Sequence, residues 1–176
     1  MQTFLPYRSF SFSAGILDSR RLNKQIVEAY QIITGRVPNK NHPACLMWKG
    51  HEYWLRKYII SCCCEYFYRT GKEHSIYSKL QNYEETAIPE FLNDNYVFIS
   101  HKVNLIRKDV NADVLEYKLF ESIRNIFKHG EMLSRVLKIE DFPEGYYWPI
   151  EPVGQRAKLH RNNWINFLNQ FELKIN

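Results

Sequence analysis

Asp18-Ser-Arg-Arg-Leu-Asn-Lys-Gln-Ile-Val-Glu-Ala-Tyr-Gln-Ile-Ile-Thr-Gly35 reads as one helix, and that reading decides the fold class. Asp18 suits the cap that accepts hydrogen bonds from a first turn, and Gly35 suits the left-handed position that closes a last turn. Leu22, Ile26, Ala29, Tyr30 and Ile33 recur at helical spacing on one face, while Arg21, Lys24, Gln25 and Glu28 recur at the same spacing on another. One face is core and the other charged. A single carboxylate, Glu28, among cationic side chains and near the amino terminus suits a site that meets an anionic substrate and needs one acid. The same residues also fit a solvated face on which Lys24 and Glu28 form an ordinary i,i+4 pair.

Working outward, the 176 residues fit one domain with a sizeable core, and 45% hydrophobic with 15% aromatic residues excludes a disordered segment. The net charge of +5 favours an anionic partner, with nucleic acid first and a membrane surface second. The chain has no apolar run of about 18 residues, and its first residues lack the basic-then-apolar order of a signal peptide, so the expectation is an intracellular protein, cytoplasmic or nucleoid-associated. Cys45 stands alone and Cys62, Cys63 and Cys64 are consecutive. Consecutive helical cysteines point in three directions and cannot chelate one metal together, so all four are expected to be reduced core residues, with no metal and no cofactor.

Residues 1–8, interrupted by Pro6, are expected to be extended and laid across the fold. Residues 9–17 suit a short helix or turn, and 36–41 a loop. From Pro43 to Arg69 apolar positions step by three and four, which predicts one long central helix. Within it Gly50 is a weak point or a place of close approach, and His51 lies on the apolar stripe as a core histidine. His42, at the helix start beside the loop, is better placed to touch a substrate. After a polar segment from Gly71 to Asn95, Ser100 suits the cap of a helix whose exposed side carries His101, Lys102, Asn104, Arg107 and Lys108, a phosphate-binding set by residue type or else a solvated basic face. Further helices are expected over 114–129, 130–139 and 161–171. Tyr147 and Trp148, in the aromatic loop 145–149, suit either stacking on splayed bases or a core plug. The fold class is mainly α: a single compact multi-helix domain with an extended N-terminal segment. There is no repeat and no phosphate-cradling glycine loop.

Taken together, Met1-Gln-Thr-Phe-Leu-Pro-Tyr7, Leu17-Asp18, Arg21-Leu22-Asn23-Lys24-Gln25, Glu28, Asn41-His42-Pro43, Met47-Trp48, Ser100-His101, Asn104-Leu105, Arg107-Lys108-Asp109 and Tyr147-Trp148-Pro149 resemble the pyrimidine-dimer DNA glycosylase family of the phage endonuclease V type. The resemblance spans residues 1–109 with 145–149, leaving 110–144 and 150–176 as additional helices. It implies a metal-free helical protein acting as a glycosylase and abasic-site lyase on ultraviolet-damaged duplex DNA; separately, a monomer is expected. By the resemblance, Met1 supplies a nucleophilic α-amine and Glu28 the carboxylate. Arg21, Lys24, Gln25, His42, His101, Lys102, Asn104, Arg107, Lys108, Tyr147 and Trp148 would meet the DNA. Gln2 is too bulky to favour removal of Met1, and Ile26 and Val27 stand where the short phage enzymes carry an aromatic and a basic residue. The alternatives are a non-catalytic nucleic-acid-binding protein using the same basic helices, and an enzyme that forms its imine on Lys24.

Overall fold

The computed structural model describes residues 2–127, 130–150 and 152–172, and every regular element among them is helical. The chain divides into two compact units, residues 1–93 and 94–176.

In the first unit an extended segment leads into α1 (Phe10–Gly15), whose Ser9 cap accepts from the Phe12 amide. Helix α2 (Ser19–Ile33) begins at Asp18, whose carboxylate accepts from the Arg21 amide at 2.8 Å. Helix α3 (Pro43–Trp48) begins at His42, and α4 (Glu52–Thr70) ends on Gly71. Both α1 and α2 pack on α4. Leu22, Ile26 and Ala29 of α2 and Leu55, Tyr58, Ile59 and Cys62 of α4 are all within 1% of complete burial. Each large apolar side chain so buried contributes about 1.5–3 kcal/mol. The Arg69 guanidinium ties the corner between α1 and α2 to α4, donating to the carbonyls of Leu17 (2.6 Å) and Gly15 (2.9 Å) and to Glu65.

The single helix expected over 43–69 is two. The chain breaks at Lys49–His51 because Gly50 adopts φ +80°, a left-handed conformation that a helix cannot continue through. The break leaves His51 half-buried at the start of α4, edge-on to Phe91, with its Nδ1 lacking a hydrogen-bond partner, instead of satisfied within a helical stripe. Cys45, Cys62 and Cys63 are buried as expected, but Cys64 is exposed on the outer side of α4.

In the second unit α5 (Asn95–Ile106) starts on Asp94, whose carboxylate accepts from the Tyr96 amide at 2.9 Å, so the helix begins five residues before the cap expected at Ser100. It packs on α6 (Ala112–Ile126), which packs in turn on α7 (Gly130–Val136). A 3-10 turn over Ile139–Asp141 and a loop lead to α8 (Gln155–Glu172), which starts six residues earlier than expected and buries Trp164 and Leu168. Every residue of α5 from Val97 to Ile106 is buried. The loop is fastened at Gly145, whose carbonyl accepts from Asn104 Nδ2 and from Trp164 Nε1 at 3.1 Å. Gly145 has φ +75°, and a Cβ there would lie 2.4 Å from the His160 ring, so only glycine fits. Among the described residues no helix is long and apolar enough to cross a membrane.

Candidate active site

The first unit is organised around its own beginning. Thr3 and Leu5 are completely buried, and Gln2 and Phe4 nearly so. An extended segment inside a helical fold has no neighbouring strand to satisfy its backbone, so side chains must do it. Phe4 donates its amide to Gln25 Oε1 at 2.8 Å, and Gln2 donates its amide to Glu28 Oε2 at 3.0 Å. Same-side amides of an extended chain recur about every 6.6 Å, and residues three apart on a helix stand on one face about 4.5 Å apart along the axis, a difference that side chains of the length of Gln and Glu span. Gln25 and Glu28 thereby reach alternate amides of the segment, which runs antiparallel to α2. The Tyr58 hydroxyl lies 3.0 Å from the Phe4 carbonyl and 2.9 Å from Gln25 Oε1, and Trp48 Nε1 donates to Thr3 Oγ1 at 2.9 Å. Residues 2–4 are therefore held by α2, α3 and α4 at once.

Glu28 is the one carboxylate of this arrangement. Its side chain is 13% exposed, and Lys24, itself 66% exposed, brings Nζ to 3.7 Å from Oε1. His42 caps α3, its Nδ1 accepting from the Ala44 amide at 3.1 Å. Burial pushes its pKa below the usual histidine value and the positive charge of the amino terminus adds to that, while the Glu28 carboxylate opposes both. The His42 imidazole is thus shifted toward its neutral form and lies within electrostatic reach of Glu28. Burial pushes the Tyr58 hydroxyl well above its ordinary range, so it stays a proton donor. It also pushes the Cys63 thiol up to about 12 and raises Cys45 and Cys62, which leaves these three as thiols and poor nucleophiles.

The expected site residues divide accordingly. The structure brings Lys24, Glu28 and His42 together, with Arg21 one turn before Gln25 and bound to Asp18. Met1 lies outside the described residues. Gln25 is 1% exposed and holds the Phe4 backbone, so it is a support of the buried segment and not a DNA contact. The exposed basic face expected on α5 is corrected: His101 is fully buried, and Lys102 and Asn104 are 4% and 6% exposed. Burial pushes the His101 pKa down to about 3 and that of Lys102 to about 8, with Lys102 Nζ donating to Ser122 Oγ at 3.3 Å. Tyr147 and Trp148 are buried as a core plug, not presented for stacking. Arg107 and Lys108 are exposed at the end of α5, but the Arg107 guanidinium donates to the carbonyls of Ile139, Phe142 and Pro143, and Lys108 lies over the Tyr146 ring. Thr3, Trp48 and Tyr58 were missed as supports of the site. Their hydrogen bonds join positions 45 and 54 residues apart, a separation that no local spacing reveals.

Before any comparison, fold and site define a helical unit that buries its own first residues beside a carboxylate. Residues 1–79, all within the first unit, match the model of the pyrimidine dimer DNA glycosylase family. The match covers 79 of the 176 residues and supports the resemblance over that stretch. No curated protein and no solved structure matches the chain.

Proposed function

We propose that the protein is a DNA glycosylase and abasic-site lyase acting on pyrimidine dimers, with the Met1 α-amine as nucleophile and Glu28 as the carboxylate that supports it. The observation that carries this reading is the 3.0 Å bond from the Gln2 amide to Glu28, which ties the residue next to the amine to the acid. An α-amine has a reference pKa near 7.7–8.0 against about 10.4 for lysine, so about a tenth of it is neutral at pH 7. The neutral amine attacks C1′ as the glycosidic bond breaks, its electron pair leaving with the base. Loss of a proton from nitrogen and opening of the sugar ring give an imine, and β-elimination then removes a C2′ proton and breaks the C3′–O bond. Glu28 stabilises the cationic sugar and iminium and carries protons between the steps. His42, within electrostatic reach of Glu28 and with its pKa lowered by burial, is a second group able to exchange a proton. Arg21, Lys24 and His42 on this side of the unit hold the DNA. Unstacking a nucleotide costs a few kcal/mol, and less at a damaged base, which favours the lesion.

Borohydride trapping on duplex DNA carrying a cyclobutane dimer or an abasic site, followed by peptide mapping, tests this. The expected adduct is on the Met1 amine with both substrates. An adduct on Lys24, lost in Lys24→Ala and kept after N-terminal acetylation, moves the nucleophile. Salt-sensitive binding with no adduct on either substrate leaves a non-catalytic DNA-binding protein.

A further inference from the structure

On the flank of α2 away from Glu28 lies a hollow of about 320 Å³, lined by Tyr30, Thr34, Arg36, Lys79, Gln81 and Tyr83 among others. Its lining is polar and includes two cations and no carboxylate. Neither Arg36 nor Lys79 takes part in an ion pair among the described residues, and both are exposed. Glu52 lies close enough to act on Tyr83 but is not part of the lining. We propose that this hollow is a second DNA-contact site, in which Arg36 and Lys79 seat a backbone phosphate and the Tyr83 and Tyr30 rings wall the adjoining sugar and base. The inference rests on DNA being the substrate of the first unit.

Three observations favour a phosphate of DNA as the occupant. The site is formed by anchored chain: the segment 74–86 is fastened at one end by His74 Nε2 on Asn23 Oδ1 (3.1 Å) and at the other by Trp54 Nε1 on the Thr86 carbonyl (3.0 Å). The C-terminal end of α2, which would ordinarily repel an anion, has the carbonyls of Tyr30, Gln31 and Ile32 engaged by following residues. Thr34 donates to the Tyr30 carbonyl, Gly35 to Ile32 and Arg36 to Gln31, which leaves Arg36 and Lys79 as the full charges of the lining. Finally, Tyr30 is two residues beyond Glu28, about 200° around the helix. Opposite flanks of a helix, side chains included, stand about 10–12 Å apart, on the scale of the roughly 12 Å width of a major groove. A duplex that meets Glu28 with one strand brings phosphates of the other to the far flank.

The test is the salt dependence of binding by the full chain to a duplex carrying a tetrahydrofuran abasic analogue, for wild type, Arg36→Ala/Lys79→Ala and the charge-preserving Arg36→Lys/Lys79→Arg. Each phosphate contact contributes about 0.9 to the log–log slope. The double alanine variant is expected to bind roughly tenfold more weakly at 0.1 M salt with a slope shallower by about 1–2, and the charge-preserving variant to stay near wild type. A double alanine variant with unchanged slope and an affinity within about twofold of wild type overturns the inference. Cleavage of dimer-containing DNA by wild type is scored separately. Its absence removes the glycosylase reading, whereas the seat stands or falls on the slope alone.

Discussion

Residues 1–93 and residues 94–176 each bury a small set of polar side chains, but the two sets hold different things. In the first unit Gln25, Thr3, Tyr58 and Trp48 hold the backbone at the beginning of the chain against a carboxylate. In the second, His101, Lys102 and Asn104 are bonded or stacked within the core, and Asn104 fastens the loop at Gly145. The basic residue types that suggested a DNA-binding helix on α5 are structural, and the groups proposed to do chemistry lie in the unit that contains the family match. Residue type alone does not distinguish a polar core from a polar site. What distinguishes them is whether a polar atom remains directed at something that reacts.

The sharpest way to break this contrast is Glu28→Gln. Cleavage of dimer-containing DNA is expected to fall by about 10²–10⁴, with duplex affinity within a few-fold, because charge stabilisation and proton transfer are lost while shape is kept. Unchanged single-turnover cleavage would remove Glu28 from the chemistry.

Next in size is the response of the second unit to acid. His101 has a pKa near 3 when folded against about 6.5 when unfolded, so between these values the unfolded chain binds more protons. Stability is full above about pH 6.5 and is lost as pH falls toward 3, by about 3 kcal/mol at pH 4. Urea titrations at pH 7 and pH 4, with hydrogen exchange on α5 as the local probe, check this. His101→Phe should flatten the difference, and an equal pH response in both proteins would assign it to other groups.

Gln25→Leu should cost about 1–3 kcal/mol by leaving the buried Phe4 amide unpaired, and should slow cleavage as well as lower Tm. Asn104→Leu should cost a similar amount with no change in kcat for an equally folded sample. If Gln25→Leu lowers Tm and leaves kcat untouched, the buried segment is only structural. The smallest effect is expected for Arg107→Ala. Its guanidinium already serves three carbonyls, so the salt slope of DNA binding should not move.

The legible parts of the molecule were those specified locally. Helix α2 announces itself through Asp18, its apolar stripe and Gly35, and the extended start through Pro6. Glu28 was legible as a lone carboxylate among cations. Gln25 shares the spacing of that charged face, and its bonds to Phe4 and Tyr58, 21 and 33 residues away, turn it inward. The same limit misled the reading of α5. A helix buried on all sides has no polar stripe, so its partnered histidine, lysine and asparagine look like a solvated face until Ser122, Gly145 and Tyr146 come into place around them. At Gly50 the periodicity continues through a backbone conformation that stops the helix, because side-chain pattern carries no information about φ.

Chain ends ordinarily fray, and their amides exchange with solvent fastest of all. Here the Phe4 amide is buried and bonded to a glutamine that is itself bonded to Tyr58 in the middle of α4. Its exchange then requires opening of the packing between α2 and α4, so deuterium uptake at the fourth residue should keep the slow clock of the core.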